Sequence, residues 1–406
     1  MGHDLNPSVI IRRANRSLVL EVLARHGELG RASLCAATGL TAPGLSRVVR
    51  ELIDAGLVLE ETNNTNKKQV GRPSPLLSIN PSGAYVLGIT LSLNRLSIAL
   101  YNAALEKLGQ REISNSTVNQ PKRVIRSLVK EGKELISEYL QSTNRLAGIG
   151  VSIGFPVLEP QLEGGIVTSE ALGWRNVPIA ELISKSFDLP VKFEPRPVSL
   201  LRTEIDLAQR QDEQCVFLIN CAVKIGCTGM TGGQLLFKEQ DYLIDLMHVA
   251  CTNSTLHCEC GRTGCLGQSS AGVGALQNYM GAEFSDKSSA EYGSLLKDLL
   301  NKAQSGDANA RRAFRKSGAY MASGVDIISA LFSPDAILIS GEVGRQPDFV
   351  AGLQKKLKQM SGSAAVDRIR VSRATSDQAA ANIARHAFVL SRDLDFKRFH
   401  FLEQNN

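Results

Sequence analysis

At Gly83 the hydrophobic pattern of this chain changes period, and that change demands two kinds of structure. Before it, apolar side chains recur three and four residues apart, the spacing of one helix face. After it they arrive in short, nearly unbroken runs such as AYVLGITLS, LAGIGVSIGFPV and CVFLINCAV, the mark of buried strands. A chain of 406 residues also exceeds what one core supports. A small helical head on a larger α/β body is therefore expected.

In the head, Leu18, Val19, Val22 and Leu23 recur at helical spacing ahead of the turn RHGELG. RASLCAATG reads as a short helix that buries Leu34 and Ala37 and stops at Gly39. TAPGLSRVVRELIDAGLV opens on Thr41, an N-cap, with Pro43 in the first turn. Leu45, Val48, Val49, Leu52 and Ile53 make one apolar stripe, and Gly44, Ser46, Arg47 and Arg50 face away from it. Two helices joined by a tight glycine turn, the second basic on its outer face, make a helix-turn-helix. GLVLEET and PLLSIN then read as strands around the polar loop NNTNKKQVGRPS, a wing. On DNA, Arg47 and Arg50 reach base edges or phosphates, while Thr41, Ala42, Pro43, Gly44 and Ser46 lie along the approaching helix. Lys67, Lys68 and Arg72 suit phosphates or the minor groove, with Pro73 keeping Arg72 extended. The alternative is a helical hairpin with a solvated basic face.

The remaining residues alternate strands and helices in two blocks, giving an α/β body. The expected division is 1–80 for the head and linker, 81–195 plus 376–406 for a first lobe, and 196–375 for a second lobe. No run of eighteen apolar residues exists to span a membrane, and MGHDLNPSVIIRRANRS lacks the apolar core of a signal peptide. A cytoplasmic protein with reduced cysteines is expected. The net charge of +6 permits nucleic-acid binding without requiring it.

Three of the eight cysteines crowd into HCECGRTGC. With His248 they form H-x9-C-x-C-x4-C through Cys258, Cys260 and Cys265. Three thiolates and one imidazole complete a tetrahedral zinc shell, with Gly261 and Gly264 supplying tight turns. Four protein ligands leave no position for water, so such a metal is structural. A redox pair is the other reading, although C-x-C is awkward for a disulfide. His257 reads as a surface residue, and Cys35, Cys215, Cys221, Cys227 and Cys251 as small core residues.

RASLCAATGLTAPGLSRVVRELIDAGLV, GRPSPLLSINPSGAYVLGI, LGWRNVPIAELI and the cysteine segment together resemble the ROK family of repressors and sugar kinases, and the first two resemble its repressor branch. The resemblance implies a winged helix-turn-helix followed by a two-lobed actin-like (RNase H-like) body, with the cysteine segment as the family's zinc motif. It also implies where a kinase would work. The family's DxGGT phosphate loop corresponds to GITLSLNR, with Thr90 in place of the Asp and Leu91, Ser92 and Leu93 in place of the glycines. The catalytic Asp corresponds to Arg196, which cannot accept a proton, and Glu342 replaces a glycine near the nucleotide. Kinase activity is not expected.

The family's sugar-binding positions correspond to Ala171, Pro195, Arg196, Asp245, His248 and Gly267, of which only His248 keeps the family's residue. Glu194, Arg196, Asp245 and His248 remain as candidate effector contacts. Arg196 suits an anionic sugar derivative; a degenerate cleft that answers to a protein, or an Arg196–Glu194 structural pair, are the alternatives. The resulting expectation is a DNA-binding regulator, a repressor of carbohydrate-related genes, acting as a homodimer or tetramer on a double-stranded operator. The competing class is a sugar kinase with an accessory DNA head, and a phosphotransferase-system protein is a further candidate partner.

Overall fold

The structure is a computed structural model that describes residues 7–61, 75–114, 119–154, 165–169, 172–208, 213–236, 244–250, 256–258, 260–287, 291–392 and 394. Lys67, Lys68, Arg72, Ala171 and Cys251 lie outside the described residues.

The head runs α1 (Pro7–His26), β1 (Leu29–Gly30), α2 (Arg31–Thr38), α3 (Ala42–Asp54), β2 (Val58–Glu61) and β3 (Leu76–Ile79). Its strands form a small antiparallel sheet in the order β1-β3-β2. α2 ends because Gly39 adopts φ 69°, a left-handed conformation that costs glycine little. The chain then re-enters helix at once, because the Thr41 hydroxyl accepts from the Gly44 N–H at 3.3 Å. Leu45, Val48, Val49 and Leu52 are buried on α3, as the stripe requires. Ala37 is a correction: it is exposed, and in α2 only Leu34 is fully buried. An eight-residue helix has two turns, and a single side chain suffices to anchor it.

Glu51 fastens α3 to α1. Its carboxylate accepts from Arg16 Nε at 2.6 Å and pairs with Arg12 at 2.5 Å. Burial alone would raise this carboxyl, but hydrogen bonds from Arg12 and Arg16 outweigh it and hold it below the usual range. Glu51→Gln is expected to destabilise the head by about 1–3 kcal/mol near neutral pH, the scale of hydrogen bonds to a charged group. A carboxyl depressed in the folded state stabilises above its unfolded value and loses that contribution as pH falls through the folded value. In thermal unfolding from pH 7 downward, the gap between parent and variant therefore narrows below about pH 4; a gap independent of pH would show the ion pairs to be inert.

The body contains two sheets of the same plan. The first lobe comprises β4 (Tyr85–Leu91), β5 (Leu96–Asn102), β6 (Lys107–Ile113), α4 (Pro121–Tyr139), β7 (Leu146–Ile153), β8 (Ile166–Ser169), β9 (Trp174–Pro178), α5 (Ile179–Phe187) and β10 (Val191–Pro195). Its five-stranded sheet runs β10-β7-β4-β5-β6, an antiparallel meander extended by parallel strands. After α6 (Arg196–Ala208) come β11 (Cys215–Cys221), β12 (Ile225–Thr231), β13 (Gln234–Leu235), α7 (Leu266–Ser269), α8 (Ala271–Met280), α9 (Tyr292–Gln304), α10 (Ala308–Phe332), β14 (Ala336–Ser340), α11 (Gly341–Gly344), α12 (Pro347–Ser361), α13 (Ser363–Asp367) and β15 (Ile369–Val371). The second sheet runs β13-β12-β11-β14-β15, again an antiparallel hairpin joined to parallel strands.

α14 (Ser376–Ala384) then returns to the first sheet. It seats on β4 and β7 only because Gly88 and Gly150 have no side chains. A Cβ at Gly150 would lie 2.0 Å from the Ala380 carbonyl oxygen, and one at Gly88 2.5 Å from the Ala381 nitrogen. The head docks on this same lobe. One apolar cluster includes Leu20, Leu23, Leu57 and Leu77 of the head with Val86, Tyr101, Ala384 and Leu390 of the body. Asn80 Nδ2 donates to the Gly56 carbonyl at 2.6 Å, and Arg145 Nη1 to the Gly83 carbonyl at 2.9 Å. Shared core and hydrogen bonds make the head continuous with the first lobe.

Candidate functional site

Three places carry chemistry. On α3, Thr41, Ala42, Pro43, Ser46, Arg47 and Arg50 are exposed and Gly44 is half-buried. The helix buries its aliphatic stripe against the head, so these residues share the face turned to solvent. That is the arrangement by which a recognition helix enters the major groove.

The second place is the cysteine loop. The ligand atoms of His248, Cys258, Cys260 and Cys265 all lie within 4.8 Å of one another. Cys258 Sγ is 3.6 Å from His248 Nδ1, and Cys260 Sγ is 3.6 Å from Cys265 Sγ. Such separations suit four ligands around one tetrahedral ion at bond lengths of about 2.0–2.3 Å. Gly261 (φ 83°) and Gly264 (φ 80°) make the turns that fold the thiols inward. Hydrogen bonds from Arg262 pull the Cys260 thiol down to about 6, while burial and the neighbouring thiols push Cys265 up to about 11. The four residues can hold a metal ion. His257 is exposed and contacts Thr263, outside the cluster. Cys221 and Cys227 are buried, whereas Cys35 and Cys215 are only half-buried.

The third place is the seam between the lobes. Arg196 begins α6 and is 1% exposed. It lies against the backbone of Gly154, where a Cβ would approach its Cζ to 2.5 Å. Burial holds its guanidinium below the ordinary range, and Glu342 is the carboxylate that opposes this most. Glu194 does not pair with Arg196. It faces Arg202 at 3.3 Å, and burial raises its carboxyl despite that neighbour. The strand ends at Pro195, so the residues on its two sides diverge. Asp245 is exposed and serves as a cap, accepting from the His248 N–H at 3.3 Å. At Gly267 a Cβ would strike Met247 Cγ at 2.2 Å, so Met247 fills the space a longer side chain would need.

Residues with no signal in the sequence complete the seam. Asp377, 3% exposed in the first turn of α14, accepts from Thr90 Oγ1 at 3.2 Å, Ser97 Oγ at 2.6 Å and Arg95 Nη2 at 2.9 Å. Leu91 and Leu93 are buried, and Gly293 of α9 lies so close that its Cβ would meet the Leu93 carbonyl oxygen at 2.3 Å. The loop thus meets α9 through its backbone at Leu93 and Asn94.

The MarR family profile matches residues 9–69, and the ROK family profile matches residues 86–391. The xylose repressor of Caldicellulosiruptor bescii (strain ATCC BAA-1888 / DSM 6725 / KCTC 15123 / Z-1320) is 21% identical over 96% of this chain and 98% of its own. A relative from Caldicellulosiruptor sp. (strain Rt8B.4) is 23% identical over 63% of each chain. The crystal structure of a ROK family transcriptional regulator, a homologue of the Escherichia coli Mlc protein, superposes with a TM-score of 0.73 at 22% identity, over 96% of this chain and 99% of that one. The ROK profile takes in both five-stranded sheets, the cysteine loop and α14, and this chain belongs to the ROK family.

Proposed function

We propose that this protein is a DNA-binding transcriptional regulator, a repressor of carbohydrate-related genes, whose body binds a sugar or sugar-derived effector and does no phosphoryl transfer. The observation that carries this reading is the solvent face of α3, with Arg47 and Arg50 free of the core, on a head that shares its core with a ROK body. Relatives named as xylose repressors favour the same reading.

Against catalysis stand the substitutions. Phosphoryl transfer needs a phosphate cradle and a base at the acceptor hydroxyl. Thr90 is bonded to Asp377 and Leu93 is buried, and in this reading Arg196 stands where the resemblance puts the family's base. His248, Cys258, Cys260 and Cys265 would hold zinc with no open coordination position, so the ion would fix the loop's shape. No described helix is long and apolar enough to cross a membrane.

We divide the chain as 1–80, 81–195 plus 376–406, and 196–375. α14 is the route from seam to head in this reading. Its first turn holds Asp377, tied to Arg95, and the chain beyond it reaches Leu390, whose carbonyl accepts from Ser17 Oγ of α1 at 2.6 Å. An effector that prefers one lobe arrangement would move α14 and the head together. A homodimer would set two heads at fixed spacing on a palindromic operator, and Lys67, Lys68 and Arg72 would touch phosphates. A phosphotransferase-system protein is a further candidate partner.

Mobility shift on the gene's own upstream region tests the reading, run beside an assay of sugar-dependent ADP release. A salt-sensitive, sequence-preferring complex without ADP release is expected. ADP release without a complex would make the protein a kinase with an accessory head.

A further inference from the structure

We infer that Arg145, a side chain of the first lobe, is a positioning residue for DNA recognition. It holds the C-terminal end of α3 against the body and so sets the angle at which Arg47 and Arg50 are presented. The inference rests on the reading of α3 as the recognition helix and goes beyond it to what aims that helix.

The contact is built from several parts. α3 ends at Asp54 with Ala55 as its C-cap, and Gly56 then turns the chain at φ 68°. Arg145 Nη1 donates to the Ala55 carbonyl at 3.5 Å and to the Gly83 carbonyl at 2.9 Å, across 90 and 62 residues of chain. Its guanidinium lies over Gly56, where a Cβ would come within 2.8 Å of Nη2. Gly83 closes the other side, since a Cβ there would meet the Gly56 carbonyl oxygen at 2.6 Å. Asn80 Nδ2 donates to that same oxygen at 2.6 Å. Two glycines and an asparagine thus form a socket in which a cation meets the negative end of the α3 dipole.

The polar ties of α3 at Thr41 and Glu51 stay within the head. Arg145 comes from the body. It directly precedes β7, whose second residue, Ala147, is buried in the apolar cluster shared with the head. The same strand ends at Ile153, beside the Gly154 that lies against Arg196 at the seam. One strand of 8 residues, roughly 26 Å long, therefore joins the end of α3 to the seam.

A helix anchored at one end swings about that end. Arg47 lies about two turns before Ala55, roughly 12 Å along the axis. A tilt of about 10° moves it by roughly 2 Å, more than a hydrogen bond to a base edge tolerates. Contacts from long basic side chains to phosphates are less directional. Loss of the anchor therefore falls on sequence preference before it falls on general affinity.

The test titrates full-length parent, Arg145→Met and Arg145→Lys against the gene's own upstream duplex and an unrelated duplex, at a temperature where all are folded. Arg145→Met is expected to bind the upstream duplex about tenfold or more weakly, with less than about a threefold change on unrelated DNA. Arg145→Lys, a point charge in place of a planar fork, is expected to fall between. A merely structural role would lower the melting temperature and leave the sequence preference intact. The decisive measurement adds Arg145→Met to the Arg47→Ala/Arg50→Ala background. A residue that acts through those two side chains costs nothing further once they are gone, whereas an independent effect lowers affinity by the same factor in both backgrounds. Parent-like preference in Arg145→Met, or an equal further loss in that background, overturns the positioning role. If Arg145→Met does not fold, Arg145→Lys decides, and an unchanged preference sinks the inference. A parent that prefers neither duplex removes the regulator reading and the inference together. A parent with a preference that the Arg145 variants share removes the inference alone.

Discussion

Cys258→Ser is expected to abolish metal binding by the cluster proposed to hold zinc, and to loosen the packing of Leu246 and Leu266. His248 Nδ1 and Cys258 Sγ are 3.6 Å apart and share the cluster with Cys260 and Cys265. Removing one thiolate leaves three ligands and three closely spaced titratable groups with no common cation. Loss of a structural metal is among the few single changes that cost on the order of 4 kcal/mol or more. The consequence extends past the loop, because Leu246 and Leu266 belong to the large core that spans both sheets, and Gly324 of α10 packs against both. Metal analysis with limited proteolysis checks this. His257→Ala is the control, since His257 lies outside the cluster and should keep full metal content. A Cys258→Ser protein with undiminished zinc would remove the four-ligand site from consideration.

The second large effect concerns DNA. Replacing Arg47 and Arg50 together by alanine is expected to weaken operator binding by roughly 2–6 kcal/mol, about 30-fold to more than 10,000-fold, if each contacts a base edge. Both side chains are exposed on α3, so the melting temperature should barely move. The opposite pattern is expected of Glu51→Gln, which breaks the tie to α1 and touches stability first. Titration against the operator and an unrelated duplex at several salt concentrations distinguishes base from phosphate contacts. A base contact relaxes sequence preference, whereas a phosphate contact lowers affinity for both duplexes and flattens the salt dependence. Parent-like affinity in the double variant would mean that α3 is not the reading helix.

Much of this arrangement is legible before folding. Leu45, Val48, Val49 and Leu52 announce α3 by spacing alone, and Gly39 and Thr41 mark where the turn before it begins and ends. The cysteine loop is legible because metal ligation is local, with three thiols inside eight residues, and a short loop can fold only a few ways around an ion. Strands buried on both faces, such as β4, β5 and β7, show as apolar runs. β6, by contrast, is an edge strand of mixed polarity, KLGQREI, and gives no apolar run to read. Among the described residues β8 and β9 pair only with each other, and they show the same weakness.

The seam is different in kind. Arg95, Arg196, Glu342 and Asp377 are separated by up to 282 residues, counting from Arg95 to its partner Asp377. Their chemistry exists only because α14 crosses back to the first sheet over Gly88 and Gly150 and α11 faces it from the second. The sequence by itself determined the head, the strand-rich body and the cysteine cluster, since each rests on residues close along the chain. Tertiary structure alone decided that Glu194 turns to Arg202, that Asp377 holds Thr90 and Ser97, and that Arg196 is buried against Gly154. The reason is that burial and charge pairing depend on distance in space, and the periodicity of a chain encodes only neighbours along it.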